Sequence, residues 1–176
     1  MGFACNAGEL NRFQSRYRLA KSFQGVTLDT YTNTTVAGYS ALFRVFLSWT
    51  AFEKLLEVLG FAREQTVALI EPYDPRDIAN AIREVPDHQG FLQFVRERVN
   101  PTHQTHIKCF LRDQPCDITY IASGIRHIFA HGTLTPHAGS ASADPAKATC
   151  DLLCEFLFRV MDEEFGNRVK AFAAKV

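Results

Sequence analysis

Apolar residues recur every three or four positions along most of this chain, the period of an α-helix with one buried face. The clearest run spans Thr34 to Leu59, where Leu42, Phe46, Trp49, Leu56 and Leu59 form a stripe that Phe43, Phe52 and Leu55 widen. So wide a stripe predicts a long central helix, stopped at Gly60. Ahead of it, Glu9 to Phe23 predicts a first helix with Arg12 and Arg16 one turn apart, and Gly25 to Asp29 a break. Asp74-Pro75 predicts a helix start, a capping residue followed by proline at the first helical position, and that helix ends before Pro86. Asp87 to Val99 predicts another, after which Asn100-Pro101 interrupts the chain. Pro115 to His131 predicts a helix closed by Gly132. Thr133 to Ala143 is small and polar and predicts a mobile loop; Asp144-Pro145 then starts a last helix carrying Leu153, Phe156, Leu157, Val160, Phe165 and Val169. Nothing alternates as a strand and nothing repeats. The expected fold class is all-α, one domain over residues 1–176, a helical bundle of about five to seven helices.

Composition narrows the function classes. With 47% hydrophobic and 22% charged residues, this is a globular composition. No apolar stretch reaches the roughly 18 residues of a membrane span. The start Met1-Gly2-Phe3-Ala4-Cys5-Asn6 lacks the pattern of a signal peptide, and Asn6 stands where a myristoylation signal wants Ser or Thr, so a cytoplasmic protein is expected. Five cysteines, Cys5, Cys109, Cys116, Cys150 and Cys154, are odd in number and irregular in spacing, which predicts buried thiols in place of a disulfide scaffold. The 19 basic and 19 acidic residues leave no net charge. Any nucleic-acid affinity must then come from a local site, not from a global positive field.

The residues best suited to chemistry are Arg126-His127-Ile128-Phe129-Ala130-His131. Arginine followed five positions later by histidine is a weak signal. The 13 arginines and 6 histidines place about 0.4 such pairs by chance in 176 residues, and this chain has three. Context separates them, because Pro86 breaks Arg83/His88 and Pro101 breaks Arg98/His103. Along the third, Ile118, Ile121, Ile125, Ile128 and Phe129 gather into one stripe. Arg126, His127 and His131 fall outside it, on a broad open face shared with Tyr120, Ser123 and Gly124.

That residue set fits RNA cleavage without a metal. The reaction needs a base for the 2′-hydroxyl, an acid for the leaving oxygen and positive charge for the phosphoryl oxygens. Histidine serves as either acid or base near neutrality, and arginine offers phosphate a fixed planar fork. One chain supplies one Arg126 and one His131, with His127 expected to point elsewhere on the helix. A two-fold dimer would place two of each in one groove.

The segment Ile125-Arg126-His127-Ile128-Phe129-Ala130-His131-Gly132 resembles the signature of the HEPN superfamily: Arg, a polar residue, three further residues and His, often followed by Gly. Ser48-Trp49-Thr50-Ala51-Phe52-Glu53 looks, more loosely, like that family's early core helix. The resemblance implies an all-helical, metal-independent endoribonuclease acting as a homodimer and leaving 2′,3′-cyclic phosphate and 5′-hydroxyl ends. It also implies a setting in toxin–antitoxin or phage-defence systems, with an antitoxin or regulatory protein as a further partner. Thr133 stands where one toxin subgroup carries a modified tyrosine, so that mode of regulation is not expected.

Arg126 and His131 are thus the expected catalytic residues, supported by His127, Ser123 and Glu53, with Arg12 and Arg16 as candidate RNA contacts. Glu53 interrupts an apolar helix, either to orient Arg126 or His131 or to face water. His103, His106 and Cys109 are spaced to share a helix face as zinc ligands, but a structural site wants a fourth ligand and none stands out. No metal and no cofactor is expected. The alternative reading is a noncatalytic helical module that holds a nucleotide, RNA or a partner protein in the same groove.

Overall fold

A computed structural model of the chain describes residues 6–174. Cys5 and the N-terminal signal readings therefore lie outside the described residues. Among those described there is no strand; eight α-helices and two single-turn 3-10 helices account for the regular structure. In chain order the helices are α1 (Ala7–Ser22), α2 (Asn33–Leu59), α3 (Thr66–Ile70), α4 (Pro75–Glu84), α5 (His88–Arg96), α6 (Pro101–Leu111), α7 (Thr119–Ala130) and α8 (Asp144–Ala173). The all-α expectation is met, with more helices than the five to seven read from the pattern. No helix among the described residues is long and apolar enough to cross a membrane.

The two additional helices are α3 and α6. α3 has five residues between 3-10 turns, too short to display a period. α6 begins where the sequence reads an interruption: Pro101 occupies the first turn, and Asn100 caps it by accepting the backbone N–H of His103 at 3.1 Å. The same pairing at Asp74-Pro75 starts α4 by other means. Asp74 sits in the left-handed region (φ 52°) and makes no side-chain cap. Proline sets the helix start in both places; only one of the two preceding residues is a true cap.

α2 is central, packed against α1, α7 and α8. Leu42, Trp49, Phe52, Leu55, Leu56 and Leu59 are buried as their spacing predicts, and Gly60 closes the helix in the left-handed region at φ 75°. Phe43 departs from the stripe and is 38% exposed. One hydrophobic core draws residues from all eight helices.

Residues 133–143, expected as a mobile loop, carry no helix or strand, and Leu134, Pro136, Ala138 and Ala143 are buried, so the loop is seated on the helices. Two glycines explain the seating. A Cβ on Gly38 of α2 would meet Pro136 Cβ at 2.6 Å, and a Cβ on Gly90 of α5 would strike the carbonyl oxygen of Gly139. The loop lies against backbone at both points because no side chain intervenes.

Candidate functional site

α7 carries the candidate residues, and its two ends are fixed by different devices. At the start, the helix opens at Thr119, four residues later than Pro115. The buried Asp117 carboxylate accepts the Thr119 backbone N–H at 2.9 Å and its hydroxyl at 2.6 Å. Its other oxygen pairs with Arg63 at 3.2 Å. At the end, Gly132 turns left-handed (φ 70°), its N–H bonds to Phe129 O at 2.9 Å, and Thr133 N–H reaches Ile128 O at 3.0 Å. These two bonds form a Schellman closure, with His131 as the last residue before the turn. Glycine after the histidine thus determines where the His131 backbone ends.

The apolar stripe is as expected, with Ile118, Ile121, Ile125 and Ile128 buried and Phe129 partly so. The opposite face is narrower than its sequence predicts. Tyr120 and Gly124 are buried, not open. α6 covers Tyr120 with the ring of His106, stacked at 4.0 Å, while Arg63 lies over the tyrosine ring at 3.8 Å. Gly124 faces Val99, Val95 and His103. Periodicity within α7 cannot reveal that a neighbouring helix covers part of its polar side.

What stays open is the last turn and a half. Arg126 is 34% exposed, and its Nη2 stands 3.7 Å from Oε2 of Glu53 on α2. The guanidinium also lies 5.8 Å from the ring of Phe46, and its buried Nε has no partner. Glu53 thus stands beside Arg126 and keeps 43% of its side chain exposed to water.

His127 and His131 are both exposed, and their rings meet edge to face with centroids 4.7 Å apart. The expectation that His127 points elsewhere is therefore corrected: positions four apart in a helix lie on one face. A single chain presents two imidazoles in contact.

Ser123, one turn before His127, is partly buried, and its hydroxyl meets Nε2 of His103 at 2.9 Å. Asn100 Oδ1 must face His103, because it accepts that residue's backbone N–H. The ring Nδ1, 2.8 Å from the same oxygen, is then the donor. Nε2 is left as acceptor, so Ser123 donates to it. The relay Asn100–His103–Ser123 has the connectivity of an activated hydroxyl, but its base is weak. Burial, with Arg63, His127 and His106 adding to it, pushes His103 down to about 4. We read the relay as fixing the Ser123 hydroxyl beside His127.

The sequence alone does not show that His103 belongs here, since the contact depends on how α6 docks on α7. It also removes the zinc reading of His103, His106 and Cys109. The His103 nitrogens are both engaged, and His106 Nδ1 accepts the Asp117 N–H at 3.2 Å. No group of three or more His, Cys, Asp or Glu among the described residues is placed to hold a metal ion. Arg12 and Arg16 are exposed on α1, whose Phe13 and Tyr17 pack on Phe165 and Phe158 of α8. No hydrogen bond or ion pair among the described residues joins them to Arg126.

No family model, curated protein or solved structure matches this chain. The likeness to HEPN proteins therefore rests on the motif and its setting in α7.

Of the four cysteines among the described residues, all free, Cys150 and Cys154 are buried and Cys109 and Cys116 only partly so. Burial pushes the Cys116 thiol up to about 11 and that of Cys154 up to about 12, and Cys150 is shifted the same way. None of these three is a thiolate near neutrality.

Proposed function

We propose that the chain is a metal-independent endoribonuclease of HEPN type, with Arg126 and His131 as its catalytic residues. The observation that carries this is the state of Arg126. Its guanidinium has a long ion pair to Glu53 and the Phe46 ring beside it, its Nε has no acceptor among the described residues, and two histidines whose rings make no hydrogen bond there follow one and five positions later. A phosphodiester is an acceptor-rich anion, and the exposed part of the guanidinium can bond to it.

In this reading the 2′-oxygen attacks phosphorus and the bond to the 5′-oxygen breaks, giving a 2′,3′-cyclic phosphate and a 5′-hydroxyl. One imidazole takes the 2′-hydroxyl proton and another protonates the departing oxygen. Arg126 offsets the charge that builds on the phosphoryl oxygens. His131 of each of two chains supplies the pair in a two-fold groove, and His127 stands against His131 in each. A toxin or defence role, restrained by a partner protein, follows from the same likeness.

The test is cleavage of a mixed RNA pool by the purified chain in chelator, beside Arg126→Ala and His131→Ala. The expected result is loss of cleavage in both variants with unchanged melting. Fragments of the parent reaction should accept a 5′-phosphate from a kinase without prior phosphatase. Equal cleavage by all three proteins would overturn the proposal, and RNA binding without cleavage would identify the helical binding module instead.

A further inference from the structure

All six histidines lie among the described residues, and four have ring nitrogens already engaged. His88 Nδ1 bonds to Val85 O at 2.8 Å, and His137 Nε2 meets Thr35 Oγ1 at 3.1 Å. His103 and His106 are held as described above. Only His127 and His131 have no hydrogen-bond partner for their rings among the described residues, and these two touch each other.

From this juxtaposition we infer that His127 and His131 form a two-point chelate for a borderline transition-metal dication such as Zn²⁺ or Ni²⁺. Imidazole is a good ligand for such ions, and two histidines four apart on one helix face can turn a ring nitrogen each to one ion by side-chain rotation. The spacing agrees. Two imidazoles on one tetrahedral zinc, with nitrogens about 2.0–2.1 Å from it, bring their ring centroids to roughly 5 Å. The observed separation is 4.7 Å. Both side chains are exposed, so the ion needs no path through the core, and water completes its shell. The nearby positive charge of Arg126 opposes a dication, and the Glu53 carboxylate paired with it offsets much of that opposition.

A two-ligand site of this kind is labile, neither a structural centre nor a resident cofactor. Its consequence for RNA cleavage rests on the reading given under Proposed function: an imidazole nitrogen bound to metal cannot carry a proton, so the metal inhibits. Binding itself does not depend on that reading.

Calorimetric titration of the metal-free chain with ZnCl₂ tests it. His127→Ala and His131→Ala should each weaken binding on the order of tenfold or more, while His137→Ala matches the parent. In the parent chain, Zn²⁺ should also shield His127 and His131, but not His137, from carbethoxylation. This second measurement holds even where a variant folds poorly. Binding that is absent, or equal in the parent and both chelate variants, or shielding spread evenly over the histidines, would overturn the inference. Zinc binding without any RNA cleavage would leave the chelate standing and remove the ribonuclease reading.

Discussion

Glu53 reaches from α2 to the guanidinium of Arg126 on α7, with Oε2 and Nη2 3.7 Å apart and the two side chains 43% and 34% exposed. At that distance the carboxylate acts by charge and not through a hydrogen bond. An ion pair this exposed contributes about 0–1 kcal/mol. Glu53→Gln should therefore leave the unfolding midpoint nearly unchanged and lower RNA cleavage by no more than about tenfold, or ~1.4 kcal/mol. Melting curves and single-turnover cleavage check this. A loss as deep as that of Arg126→Ala would make Glu53 a reacting group.

His103 gives a pH dependence whose sign is fixed. Burial is the main cause that lowers its pKa in the folded chain, to about 4 from 6.5. His106 is lowered as well, again chiefly by burial. Between those values the unfolded chain binds protons that the folded chain refuses, so stability falls as pH drops from about 6.5 towards 4. One such histidine contributes a slope of at most ~1.4 kcal/mol per pH unit. Denaturant unfolding at pH 7, 6, 5 and 4 should show the decline, and His103→Gln should make it shallower. An unchanged slope in that variant would assign the loss to other groups.

Two glycines separate backbone strain from collision. Gly132 has φ 70°, but a Cβ there meets nothing within 4 Å. Gly132→Ala should cost only the left-handed penalty, about 1–2 kcal/mol. For a chain of this length that lowers the melting temperature by roughly 2–4 °C per kcal/mol. Gly90→Ala has no such strain, yet its Cβ strikes the carbonyl of Gly139, itself backbone held at φ 70°. It should be the more damaging of the two and should loosen residues 133–143, seen as faster amide exchange there.

How much of this was legible beforehand depended on whether one helix or two decided the outcome. The central helix, its stop at Gly60 and the end of α7 at Gly132 follow from spacing and backbone chemistry within one segment, and the structure has all three. Burial of Tyr120 and Gly124, the link from His103 to Ser123 and the seat of residues 133–143 each require knowing which helix lies beside which. Contact between His127 and His131 is a different matter. A spacing of four within one helix places the two rings on one face without any knowledge of the neighbouring helices.

The start of α7 is the last point of leverage on the site. Asp117 is 3% exposed, pairs with Arg63, and accepts both the N–H and the hydroxyl of Thr119. Arg63 in turn lies over Tyr120 and Trp49 at 3.8 and 5.0 Å, so the pair joins α7 to the central helix. Removing one partner of a buried pair costs about 3–5 kcal/mol, because the other charge is left unpaired. Arg63 keeps 24% of its side chain exposed and can regain water, which puts Asp117→Ala at about 2–4 kcal/mol with the lost cap included. Arg63→Met/Asp117→Leu removes both charges and should recover part of that loss. Denaturant unfolding of the parent, the single and the double variant measures the difference. A double variant less stable than Asp117→Ala would show that Arg63 holds α7 through its ring contacts more than through the ion pair.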